Sequence, residues 1–150
     1  MEMNSVNDPV VFYVDDDQDD RELFHDIAKE KSKDISVYTY DQGEKLLAAL
    51  KNPPPKPECV FVDLNMPGIS GFEVIEEIRK ADQTKDVPVV VISTSADTDT
   101  IDRCRELGAS YYIPKSNDYK TLTRSIQHAL SIDWDTFEPG DKNFVFKRTA

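Results

Sequence analysis

The sequence predicts a single α/β domain built on a doubly wound parallel sheet. Apolar, β-branched and aromatic runs recur at Val10–Val14, Cys59–Val62 and Pro88–Ile92; they have the length of strands buried on both faces. Segments with apolar residues at helical spacing lie between them, and turn residues mark the junctions. Strand and helix therefore alternate, the pattern of parallel strands joined by crossover helices and covered on both faces. At 150 residues the chain has room for one proper core and for one domain.

The elements follow in order. Val10–Val14 is the first strand, and Asp17-Gln18-Asp19-Asp20 after it reads as a helix start, with Asp17 as cap and the acids favoured by the helix dipole. Leu23, Phe24, Ile27 and Ala28 give that helix one apolar face. Ile35–Tyr40 is a short strand with Ile35, Val37 and Thr39 on one side. Asp41 is the expected cap of a second helix carrying Leu46, Leu47 and Leu50, which Pro53-Pro54-Pro55-Lys56-Pro57 stops and continues as a stiff connector. Cys59–Asp63 is the third strand, and Leu64 to Gly71 is a strand-to-helix turn. A helix with Phe72, Val74, Ile75 and Ile78 at its apolar positions comes next. Pro88–Ile92 is a fully buried strand ending in Ser93-Thr94-Ser95; a helix from about Asp97 to Leu107 stops at Gly108. Tyr111-Tyr112-Ile113 is the fifth strand, ending in Pro114-Lys115-Ser116. The last helix runs from Asn117 or Asp118 to Leu130 with Leu122, Ile126, Ala129 and Leu130 inward. The remaining segment holds Trp134, Phe137, Phe144, Val145 and Phe146, too aromatic for a solvated tail, and is expected to pack on its own domain or on a second copy as a homodimer. The chain has no internal repeat.

Bulk properties exclude several classes. A net charge of −11 and a pI near 4.6 argue against a nucleic-acid surface and against an anionic membrane surface. No apolar run reaches the ~20 residues of a membrane span, and the polar start Met1 to Pro9 lacks a signal-peptide core. Cys59 and Cys104 make neither a disulfide framework nor a metal spacing, which fits a reducing, cytoplasmic setting.

The chemistry gathers at strand ends. Asp15 and Asp16 follow the first strand, Asp63 ends the third, Ser93 ends the fourth and Lys115 follows the fifth. In an open α/β sheet that edge is where ligands bind. Two carboxylates ~4 Å apart repel by about 4 kcal/mol at an effective dielectric near 20, so clustered acids protonate or hold a cation. An oxygen-only set suits magnesium, and with no His or Cys in the group zinc does not fit. A carboxylate can also be a nucleophile that forms an aspartyl phosphate, with magnesium, the Lys115 ammonium and the Ser93 hydroxyl facing its oxygens. Each piece has a plainer reading: an acidic helix N-terminus, a turn serine, a solvated lysine. Their order across separate strand ends favours a phosphoryl-accepting site.

The residues Val10–Asp16, Val62-Asp63-Leu64-Asn65-Met66-Pro67 with Gly71, Pro88–Ser93 and Tyr112-Ile113-Pro114-Lys115 resemble the receiver domain of two-component response regulators, from about Pro9 to Leu130. The resemblance implies a flavodoxin-like (βα)5 sheet in the order 2-1-3-4-5. It implies that Asp63 accepts a phosphoryl group from a sensor histidine kinase or a histidine phosphotransfer protein. Magnesium would be held by Asp16 and Asp63 directly, by the backbone carbonyl of Asn65, and by Asp15 largely through water. Ser93 would move towards the phosphoryl group, Lys115 would pair with it, and Tyr112 would turn inward. Residues 1–131 would be the receiver and 132–150 an aromatic extension, with no separate effector domain and an output through contact with a downstream protein, not nucleic acid or membrane. The protein would signal, with self-catalysed phosphoryl transfer and autodephosphorylation as its only chemistry. Three positions depart from the family pattern. Ser116 follows Lys115 where a proline joined through a cis peptide is usual, Thr94 stands where a very small residue is usual and would hinder Tyr112 from turning in, and Pro114 replaces an aliphatic residue. Two other readings stay open: a magnesium-dependent phosphatase, whose usual second Asp is replaced by Asn65, and a receiver that binds a partner without phosphorylation.

Overall fold

The structure is a computed structural model that describes residues 9–140 and 143–147. Among the described residues ten elements alternate: β1 (Val10–Val14), α1 (Gln18–Lys31), β2 (Ser36–Tyr40), α2 (Gly43–Leu50), β3 (Cys59–Asp63), α3 (Gly71–Lys80), β4 (Val89–Ser93), α4 (Thr98–Leu107), β5 (Tyr111–Pro114) and α5 (Tyr119–Leu130). All strand pairs are parallel, in the order β2-β1-β3-β4-β5. That is the doubly wound sheet which the alternating apolar runs predict.

The sheet divides the core into two layers because adjacent strand residues face opposite sides. Phe12, Val14, Val60, Val62, Val89 and Val91 face α2, α3 and α4 and meet Leu46, Ile75 and Ile78. Val11, Tyr13, Phe61, Val90, Ile92 and Ile113 face α1 and α5 and meet Phe24, Ile27, Ile126 and Ala129. β3 and β4 are buried along their full length, as their unbroken apolar sequences require.

Helix ends follow local chemistry. The Asp17 carboxylate accepts from the N–H groups of Asp19 and Asp20 at the start of α1. Ser70 and Glu73 form a reciprocal capping box on α3. Asp118 accepts from the Thr121 N–H on α5. Gly108 ends α4 at φ 106°, a left-handed conformation that suits a residue without Cβ.

Three details differ from expectation. The cap of α2 is Gln42, without a side-chain bond, while Asp41 pairs instead with Lys45 at 2.9 Å. Ile35 lies in a turn before β2, its N–H bonded to the Ser32 carbonyl, and still packs into the core. Thr39 is exposed, because β2 is an edge strand with a thin inner face.

The aromatic tail packs on its own domain. Val145 forms a parallel bridge with Tyr112, so the tail lies along the open edge of β5. Phe144 is buried on the α4 side, and Trp134, Phe137 and Phe146 pack on the α5 side. Tyr111 meets the Phe137 ring edge-on at 6.0 Å, and His128 lies 5.8 Å from the Phe146 ring.

Candidate functional site

Sheet register explains the site. Val14 pairs with Val62, so the next residues, Asp15 and Asp63, end neighbouring strands side by side. Asp63 pairs with Ile92 and Ser93 with Pro114, which puts Ser93 and Lys115 at the next two tips. Carboxylate oxygens of Asp15, Asp16 and Asp63 lie within 4.8 Å of one another; Asp15 and Asp63 are buried and Asp16 faces solvent. The five residues that sequence separates by up to a hundred positions therefore share one edge.

The loop after β3 returns to that edge by a close backbone approach. The Gly71 N–H donates to the Leu64 carbonyl at 3.1 Å. A Cβ on Gly71 would lie 2.6 Å from the Asp63 carbonyl oxygen and 2.7 Å from the Leu64 Cα, both backbone atoms. Only glycine fits there, and the fit fixes where Asp63 points. The Asn65 N–H reaches the Asp63 carboxylate at 3.4 Å.

Asp15 is the most heavily bonded of the three clustered acids. It accepts from the Tyr13 hydroxyl, from the Asp17 N–H at 2.9 Å and from the Lys115 ammonium at 3.4 Å. The Arg21 guanidinium donates to its backbone carbonyl at 2.8 Å. Lys115 also reaches Asp20 on α1 at 3.0 Å. Burial pulls the Lys115 ammonium down, but the charges of Asp15, Asp20 and Asp63 outweigh it and leave its pKa raised. Lys115 is therefore a firm cation.

Asp63 is the strained member. Burial first, then the charge of Asp15, with Asp16 adding less, pushes its carboxyl up to about 7, against the pull of Lys115 and the Asn65 N–H. A buried carboxylate beside two others gains most from a cation at its exposed side. Three carboxylates with no soft donor fit a hard divalent ion such as magnesium.

Ser93 is fully buried. Its hydroxyl accepts from the Ser95 N–H at 3.1 Å, and its carbonyl accepts from the Lys115 N–H at 2.6 Å. Tyr112 is already inside: its side chain is inaccessible to solvent and its hydroxyl donates to the Ser95 carbonyl at 2.7 Å. The hindrance expected from Thr94 does not arise, because the Thr94 side chain is exposed and leaves the ring its place. Among the described residues the cis peptides are Pro53-Pro54 and Pro54-Pro55, so Lys115–Ser116 is trans. The Ser116 hydroxyl instead accepts from the Asp118 N–H ahead of α5.

Two residues escaped the sequence reading, Tyr13 and Asp20. Strand alternation places Tyr13 and Asp15 on the same face of β1, a signal that was available. Asp20 looks like one more acid in a helix start, and only the fold brings Lys115 to it.

Comparison with known proteins agrees. Residues 11–127 match the family model described as response regulator receiver domain. Response regulator Rcp1 of Synechocystis is 30% identical over 123 residues, covering 79% of this chain and 84% of that protein. The rice two-component response regulator ORR5 is also 30% identical, over 81% of this chain and 89% of that one. The solved Mn(2+)-bound form of Rcp1 aligns with a TM-score of 0.76 at 29% identity, covering 88% and 99% of the two chains. The phosphorylated cyanobacterial phytochrome response regulator RcpA aligns with a TM-score of 0.76 at 28% identity, covering 85% and 94%. No helix among the described residues is long and apolar enough to cross a membrane. Sheet order, strand-end acids and family match converge, and the chain belongs to the response regulator receiver domain family.

Proposed function

We propose that this receiver accepts a phosphoryl group on Asp63, in a magnesium-dependent reaction, from a histidine kinase or histidine phosphotransfer protein, and signals by a change in its protein contacts. Receiver domains are the signalling modules of two-component systems, not conventional enzymes. The observation that carries the reading is the meeting of Asp15, Asp16 and Asp63 at one strand edge, with Lys115 held beside them.

Asp63 supplies the nucleophilic oxygen. Attack on a phosphorus atom forms the aspartyl phosphate and releases the donor's nitrogen or oxygen leaving group. Asp15, Asp16 and Asp63 would hold the metal ion, with the Asn65 carbonyl beside them; when bound, the ion neutralises phosphoryl oxygens and orients the group. Lys115 pairs with a second phosphoryl oxygen, already placed by Asp15 and Asp20. Ser93 would offer its hydroxyl proton to a third, turning it from the Tyr112 oxygen beside it while its acceptor lone pair keeps the Ser95 N–H. Relatives support the setting: a manganese-bound structure exists for Rcp1 and a phosphorylated one for RcpA.

The phosphatase reading is weaker, since Asn65 cannot act as a general acid where that chemistry needs a second Asp. Incubation with acetyl phosphate and magnesium should load one phosphoryl group per chain. Sustained hydrolysis of an ordinary phosphomonoester pool by catalytic amounts of protein would overturn the receiver reading.

A further inference from the structure

We propose that Phe144 in the tail is a positioning residue for the phosphoryl site, acting through Tyr112, so that the tail strap and a phosphoryl group bind cooperatively. The inference rests on the function proposed above. Residues 143–147 form a strap along β5 that grips one residue of that strand from both sides. The Tyr112 N–H donates to the Phe144 carbonyl at 2.8 Å, and the Tyr112 carbonyl accepts from the Phe146 N–H at 2.8 Å. The Phe144 ring is 2% exposed, lies 6.5 Å from the Tyr112 ring and has the Arg105 guanidinium 5.9 Å from its centre.

From Tyr112 the contacts run without a gap into the site. Its hydroxyl donates to the Ser95 carbonyl at 2.7 Å, the Ser95 N–H donates to the Ser93 hydroxyl at 3.1 Å, and the Ser93 carbonyl accepts from the Lys115 N–H at 2.6 Å. The strap thus closes over an aromatic ring whose far end orders the segment carrying Ser93. With the strap seated, Tyr112 has no solvent-exposed surface, and the Phe144 ring stands 6.5 Å from its ring as part of that cover. A seated strap therefore favours the buried ring, and the buried ring fixes the Ser93–Ser95 segment that a phosphoryl group needs. Coupling of this kind is reciprocal: what stabilises the phosphoryl end must tighten the strap. The element that both ends would bias is the Tyr112 ring, held at one side by Phe144 and at its hydroxyl by Ser95.

The test uses the full chain, with beryllofluoride plus magnesium as phosphoryl mimic, read by amide hydrogen exchange at Phe146 and Tyr112 and by mimic affinity. The mimic should slow exchange of the Phe146 amide at least about fivefold, the lower end of ordinary coupling between sites. Phe144→Ala should weaken mimic binding by a comparable factor, and Phe144→Leu, which refills most of the volume, should restore most of it. Exchange at Phe146 that is unchanged or faster with mimic overturns the inference, as does wild-type affinity in Phe144→Ala. If Phe144→Ala does not fold, the exchange measurement on the wild-type chain decides alone. Wild-type protein that fails to bind the mimic with magnesium overturns the proposed function and this inference with it.

Discussion

Asp63→Asn should make the metal-free protein more stable. The substitution keeps shape and keeps an acceptor for the Asn65 N–H, and it removes one charge from the cluster. Oxygens of the three acids lie within 4.8 Å of one another. At that separation one carboxylate pair costs about 3 kcal/mol at an effective dielectric near 20. The pKa route gives a similar size. Asp63 moves from 3.8 to about 7, and at 1.36 kcal/mol per unit that is about 4 kcal/mol of destabilisation once the group is ionised in both states. Lys115 is already counted in that shift, so about 2–4 kcal/mol should separate variant from wild type, roughly 5–15 °C in Tm for a chain of this size. The sign with pH follows from the raised value. Below 3.8 both folded and unfolded Asp63 are protonated and the carboxyl carries no penalty. As pH rises towards 7 the unfolded state loses its proton first, and the penalty is fully present above about 7. Thermal melts in chelator at pH 8 and pH 5 measure it: the variant should lead clearly at pH 8 and by much less at pH 5. Equal melting at pH 8, or a larger gap at pH 5, would refute the clustered-acid reasoning.

Other substitutions probe separate links. Magnesium should raise the melting temperature of the wild type in a concentration-dependent way and that of Asp63→Asn much less, because binding to the folded state adds stability by mass action; equal shifts would place the ion elsewhere. Ser70→Ala removes one arm of the α3 capping box and should cost about 1 kcal/mol in urea unfolding without changing the slope. Gly71→Ala drives a Cβ into the Asp63 carbonyl and the Leu64 Cα, so it should lower both stability, by about 2 kcal/mol or more, and the phosphorylation rate. Lys115→Met leaves the buried Asp15 with a weaker set of partners and should cost about 1–3 kcal/mol in metal-free unfolding at pH 8. A neutral outcome there would mean that Tyr13 and the Asp17 N–H satisfy Asp15 unaided.

Much of this molecule is legible in its sequence, for reasons that differ by element. Val10–Val14 and Cys59–Asp63 read correctly to the residue because a strand buried on both faces admits only apolar side chains, and the first polar residue marks its end. Pro88 was expected inside β4 and stands just outside, since proline has no N–H for the ladder and joins only through its carbonyl, which Val60 uses. Asp41 resembled a cap because cap chemistry is local; the ion pair with Lys45 competes for the same carboxylate. The strand-end acids were visible as a pattern, but the Lys115–Asp20 pair joins residues 95 positions apart and depends on how α1 packs against α5 on one face of the sheet. The tail shows the same limit. Its aromatics announce burial, yet nothing local says that Tyr112 will be their partner.

Intact-protein mass spectrometry after incubation with acetyl phosphate, with and without magnesium, on wild type and Asp63→Asn, addresses the phosphoacceptor role directly. A single phosphoryl adduct that requires magnesium and disappears in the variant is the expected result. An adduct of equal yield in Asp63→Asn, or none in the wild type with magnesium present, would contradict Asp63 as the acceptor.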